Sequence, residues 1–94
     1  MTEHKLKCWP VYFDAIERGE KNFEVRRDDR GFQKGDIIEL QRTYPDRLHC
    51  VEYGYEIGSP PKHRIRKRIS YVLTGGQFGI EPGFVVLALE DIVP

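Results

Sequence analysis

From His63 to Leu73 the polarity alternates with a period of two, and this pattern commits the chain to a fold built mainly of strands. Ile65, Ile69, Tyr71 and Leu73 are expected on one face, and Arg64, Arg66, Arg68 and Ser70 on the other. The result is a half-buried strand whose wet face is a row of arginines. Phe84–Leu89 is apolar at every position, as expected of a strand covered on both faces. Further strands are expected at His4–Cys8, Asn22–Arg27 and Ile37–Gln41. In the strand Asn22–Arg27, Phe23 and Val25 should anchor in the core, leaving Glu24 and Arg26 to point together away from it.

Helical spacing occurs once. Trp9, Tyr12, Phe13 and Ile16 fall at i, i+3, i+4 and i+7, one apolar stripe that should face the core. Pro10 suits the first helical turn, where its missing N–H costs nothing. Gly19 suits the position just past the helix end, where the backbone turns left-handed. Thr43–Pro61, with three prolines and two glycines, reads as a long excursion with one short strand near Leu48–Tyr53. Thr74–Gly83 reads as a glycine-rich loop carrying an exposed aromatic, Phe78, near its middle. Five or six strands with one short helix fit a small curved barrel with a helical plug, an economical way to avoid open sheet edges.

Ninety-four residues make one domain, 1–94, with room for one modest core. No apolar run approaches the ~20 residues of a membrane span. Met1–Lys7 is polar and lacks the apolar segment of a secretory signal, so no membrane association is expected and the cytoplasm is the expected location. Cys8 and Cys50 stand apart, as do His4, His49 and His63, so buried thiols are expected and neither a metal nor a cofactor. Fifteen basic and fifteen acidic residues cancel, so overall charge does not announce a nucleic-acid binder. Charge is nevertheless uneven: Lys62–Arg68 holds five bases and no acid.

The densest chemistry lies in Gly19-Glu-Lys-Asn-Phe-Glu-Val-Arg26. Its spacing, Gly19-x-Lys21-x-x-Glu24-x-Arg26, resembles the signature of the ASCH domains of the PUA-like superfamily. The resemblance extends to a branch of unknown function found in small bacterial and phage proteins, through His4, Leu6, Lys7, Tyr12, Phe13, Asp29, Arg30, Phe32, Gly35, Asp36 and Gly75–Gly79. It covers nearly the whole chain except Thr43–Pro61. It implies an α+β, mainly β fold: a small PUA-like β-barrel of five or six strands with one or two short helices. It also implies a cleft between barrel and helix lined by the Lys21–Arg26 segment, with RNA or a modified nucleotide as partner. One ASCH branch resembles a hydrolase that removes an acyl group from a modified cytidine nucleoside and relies on a threonine three residues after the motif lysine. Glu24 stands at that position here, and a carboxylate is a poor substitute for a hydroxyl nucleophile.

Roles follow from side-chain chemistry. Glu24 can accept hydrogen bonds from the exocyclic amine of a base. Arg26 and Arg30 offer planar forks for phosphate or a carbonyl edge, and Lys21 a point charge. Phe78 can stack on a base and Gln77 can add a hydrogen bond. Trp9 has the same capacity, although its place in the helical stripe favours the core. Arg64, Arg66 and Arg68 can track a phosphate backbone or simply protect an edge strand. The expected function is an RNA- or nucleotide-binding module. The alternative is a small hydrolase on such substrates, with Lys21 positioning the scissile group and Glu24 as general base. A protein partner is a third reading that no residue singles out.

Overall fold

The computed structural model describes residues 2–43 and 63–92. Strands β1 (Glu3–Cys8), β2 (Phe23–Arg27), β3 (Ile37–Arg42), β4 (Arg64–Thr74) and β5 (Phe84–Glu90) form one sheet in the order β1-β3-β4-β5-β2. β1 pairs parallel with β3, and every other pair is antiparallel. The sheet curls into a half-barrel, so the architecture is α+β and mainly β. Its concave side holds Leu6, Ile38, Leu40, Ile69, Val85, Leu87 and Leu89. The single helix among the described residues, α1 (Pro10–Glu17), drops Phe13 and Ile16 into that core. An ion pair ties the helix to the end of β3: Arg42 Nε and Nη2 donate to the two oxygens of Asp14 at 3.0 and 3.1 Å. That hydrogen bonding holds the Asp14 carboxyl below its ordinary range.

The helix stops as the sequence anticipates. Gly19 takes φ +79°, its N–H donates to the Ile16 carbonyl, and the Glu20 N–H donates to the Ala15 carbonyl. These two bonds form a Schellman cap, which satisfies carbonyls that the helix end leaves bare and fixes the direction of the chain into β2. At the start, Trp9 is the cap residue with extended backbone, and Pro10 follows it. The 3.6-residue period therefore begins after Trp9. Trp9 and Tyr12 are about half exposed, which corrects the expectation that both face the core. Tyr12 sits one residue, about 100° of helix, from Phe13 and lies at the margin of the buried stripe.

Three further expectations change. In β2 the faces are reversed: Glu24 is buried, while Phe23 and Val25 are 42% and 52% exposed. The register explains this. Glu24 lies opposite Leu87, which is fully buried, and cross-strand partners share a face. In β4 a bulge between Ile69 and Tyr71 shifts the register. Beyond it Val72 packs on the core, and Tyr71 and Leu73 turn to the other face, with Tyr71 well exposed. In β5 only Val85, Leu87 and Leu89 are fully covered, and Phe84, Val86 and Ala88 are half-buried. The strand expected near Leu48–Tyr53, together with His49, Cys50 and Lys62, lies outside the described residues.

Two features close the structure. At the turn before β3, the Asp36 carboxylate accepts from His4 Nε2 at 2.9 Å and from the Gln33 N–H at 3.1 Å, with the Thr2 N–H at 3.4 Å. Burial by itself pushes this carboxyl up, but the hydrogen bonds from His4 and the backbone outweigh it and the net shift is downward. The Phe32 ring meets His4 edge-on at 4.8 Å. At the opposite seam, the sheet edges β1 and β2 are joined by side chains. Arg26 donates to the Lys7 carbonyl and Arg30 to the Lys5 carbonyl, the latter at 2.9 Å. Arginine forks thus occupy part of the gap that a sixth strand or a full ladder would fill.

Candidate functional site

A cleft of about 540 Å³ opens at this seam, between the end of β1, the start of α1 and strand β2. Its lining includes Cys8, Trp9, Tyr12, Lys21, Glu24 and Arg26, with Lys7, Phe23 and Val25 completing it. The Schellman cap delivers Lys21, and the β2 register turns Glu24 inward. Lys21 Nζ lies 3.0 Å from Glu24 Oε1, and Arg26 Nε lies 2.9 Å from Glu24 Oε2. The Glu24 side chain is 7% exposed, against 16% for Lys21 and 26% for Arg26. The carboxylate is therefore the floor of the group, and the cations stand between it and solvent.

Both cations are held from further directions. Lys21 Nζ donates to the Phe23 carbonyl at 2.7 Å and sits over the rings of Phe23 and Tyr12, at 4.7 and 5.4 Å from their centroids. Such placement lowers the energy of a desolvated ammonium. Arg26 spans from Glu24 to the Lys7 carbonyl across the seam. The Trp9 and Tyr12 rings stack with centroids 6.0 Å apart at 27°. The rim is thus aromatic and the floor ionic. One carboxylate against two cations leaves the group formally one charge positive. Each Glu24 oxygen keeps a lone pair, and Lys21 and Arg26 retain N–H groups beyond those used internally. The site can accept and donate at once.

Cys8 lies behind this group. Burial, reinforced by the nearby Glu24 charge, pushes its thiol up to about 12. The sulfur stays protonated at neutral pH and is an unreactive floor rather than a nucleophile. Among the described residues, no three His, Cys, Asp or Glu gather closely enough to hold a metal ion.

Of the residues that the sequence singles out, Lys21, Glu24 and Arg26 come together in the cleft. Arg30 does not line it: its Nη1 serves the Lys5 carbonyl and its Nε faces Asp29 at 3.5 Å. Gln77 and Phe78 stand on the β4–β5 loop, also outside the lining. Gln77 Nε2 donates to the Thr74 carbonyl, and Phe78 projects with 83% of its surface exposed. The arginine row of β4 is engaged with carboxylates: Arg64 with Glu39 at 3.5 Å, Arg66 with Glu3 at 2.8 Å and Arg68 with Glu90 at 4.0 Å. Each of the three is thus paired with a carboxylate of a neighbouring element. Lys7, Cys8 and Tyr12 are cleft residues that the sequence reading did not assign to the site, Tyr12 having been placed in the core. For Trp9 a usable signal was present: Pro10 at the first helical position makes Trp9 the cap, which takes it out of the helical stripe.

Residues 3–89 match the family described as Domain of unknown function (DUF3850), and the chain belongs to that family. The match includes every residue of the cleft. No curated protein matches the chain.

Proposed function

We propose that this DUF3850 protein is a binding module for RNA or a nucleotide, which it holds in the cleft between α1 and β2. The observation that carries the reading is the buried Glu24 carboxylate, clamped by Lys21 and Arg26 beneath an aromatic rim. A nucleobase is flat and bears donors and acceptors on its edge. Trp9, Tyr12 or Phe23 can cover its face, and the ionic floor can meet its edge. The formal positive charge suits the phosphate that accompanies a nucleotide. The resemblance of the Gly19–Arg26 spacing to ASCH domains of the PUA-like superfamily supports the same reading, with the cytoplasm as the place of action. A hydrolase is less well supported, because the clamp engages both oxygens of Glu24 and the thiol at the floor is held protonated.

Trp9 is the chain's one tryptophan, so its fluorescence reports on the cleft. Titration at low salt with the four common nucleoside monophosphates and with single-stranded RNA should quench it. Arg26→Glu should abolish the quenching, and Arg66→Glu should leave it unchanged. If no ligand alters Trp9 emission, or if Arg26→Glu binds as well as the parent protein, the reading is wrong.

A further inference from the structure

Phe78 is the most exposed large apolar side chain among the described residues, and its backbone is strained. Its φ is +53°, and no other non-glycine described residue has a positive φ. Gln77-Phe78-Gly79-Ile80 is a tight turn closed by the Ile80 N–H on the Gln77 carbonyl at 2.9 Å, with Gly79 at φ +78°. Positive φ at both central positions defines a type I′ turn, whose first central position favours Asn, Asp or Gly. A phenylalanine there adds strain and exposes a ring, and both cost stability. Such local cost without a packing return is characteristic of positions kept for contact with something else.

The loop is built to hold that ring outward. The Gly76 N–H donates to the Ile80 carbonyl and the Gly75 N–H to the Phe84 carbonyl, both at 2.7 Å. The side chain of Gln77 braces the turn against Thr74. At Gly75 even a Cβ would lie 1.9 Å from the Glu81 carbonyl oxygen, so backbone packs directly on backbone. The backbone that carries Phe78 is therefore held in place, and it presents the ring to solvent.

Its placement relates it to the cleft. The loop springs from Thr74 and Phe84. Val85, the partner of Thr74, also pairs with Arg26, and Phe84 pairs with Arg27. The base of the loop thus adjoins the Arg26 end of the cleft. Exposed Arg27, its guanidinium 4.9 Å from the Phe84 ring centroid, stands at that base.

We infer that Phe78 is a second stacking platform, and that the ligand is a single strand of several nucleotides: one base seated in the cleft, the chain passing Arg27, and a later base stacked on Phe78. The inference rests on the binding reading above and narrows its ligand to a single strand. Aromatic platforms joined by cations are how small domains hold single strands without reading every base.

The test uses Phe78→Asn, which suits the left-handed backbone and removes the ring, and Phe78→Trp, which keeps an aromatic. Both are titrated with nucleoside monophosphates and with single-stranded RNA of about eight nucleotides, a length that one small domain can cover. Calorimetry serves as the readout, since Phe78→Trp adds a fluorophore. Phe78→Asn should raise the melting temperature by relieving strain, leave monophosphate affinity unchanged, and weaken RNA binding roughly 5- to 150-fold, the worth of one stacked base. Phe78→Trp should retain RNA affinity. Monophosphate binding together with RNA affinity indifferent to Phe78→Asn overturns the second platform but leaves the cleft reading intact, and points to a protein as the loop's partner. Failure of both ligands in the parent protein overturns both readings.

Discussion

The Asp36 turn and the Glu24 cleft each bury a carboxylate, yet they do so in opposite ways. Asp36 is satisfied by a histidine and two backbone N–H groups, all fixed by the fold. Glu24 is satisfied by the long side chains of Lys21 and Arg26, which line an open cleft and keep donors to spare. A carboxylate ringed by backbone and a short side chain organises a turn. A carboxylate held by adjustable cations at a solvent boundary can exchange part of its hydrogen bonding for a ligand's. Burial alone does not separate structural from binding carboxylates; the identity and reach of the partners does.

The largest expected effect falls on the structural member. Asp36→Ala leaves His4 and two N–H groups without their acceptor and should cost about 3 kcal/mol, read as a lower urea midpoint at unchanged m-value. Nucleotide affinity, measured where the variant is folded, should be unchanged; a parallel loss would erase the contrast. Glu24→Gln should show the reverse. It keeps the shape but removes the charge that pairs with both Lys21 and Arg26 and puts an NH2 where one cation donates. The long cations can turn to solvent, so stability should fall by only about 1 kcal/mol, while nucleotide affinity falls tenfold or more. A variant that melts as early as Asp36→Ala would show that the clamp is chiefly structural.

Acid sharpens the same contrast. The Asp36 and Asp14 carboxyls are held below their unfolded value, so the unfolded chain takes up protons first as pH falls. The stability that these groups contribute is present in full above about pH 4 and lost as pH falls through their folded values. Urea midpoints followed from pH 7 to pH 3 should drop in the parent protein and drop less in Asp36→Ala. Parallel curves would remove Asp36 from the acid limb. The smallest effect concerns the cleft floor. With its thiol pushed up to about 12, Cys8 should resist iodoacetamide at pH 8 in the native protein and react on unfolding, as followed by peptide mass mapping. Rapid native labelling would mean that the cleft opens far deeper than its geometry suggests.

Much of this was legible in the chain. Pro10 and Gly19 bracket the helix because each has backbone constraints suited to one end. The strands appear where alternation or apolar runs predict them, and Lys21, Glu24 and Arg26 do converge. The errors in the strands share one source. Period-two spacing sorts side chains into two faces but does not say which face lies inward. In β2 the apolar pair Phe23 and Val25 made the wrong face look like the core. In β4 the bulge after Ile69 changed faces midway, with no glycine to announce it.

What the sequence determined by itself was local: where each element starts and stops, and which residues share a side. Propensity, capping and alternation act within a few residues and can be read in order along the chain. Only the tertiary structure decided that Glu24 faces inward, that Trp9 and Tyr12 form a rim, and that arginines bridge β1 and β2. Those outcomes depend on the register of β2 against the buried face of β5 and on the curl that brings the sheet's first and last strands together. Both arise between residues far apart in sequence, where one favourable alignment of the core can override the polarity of a single short strand.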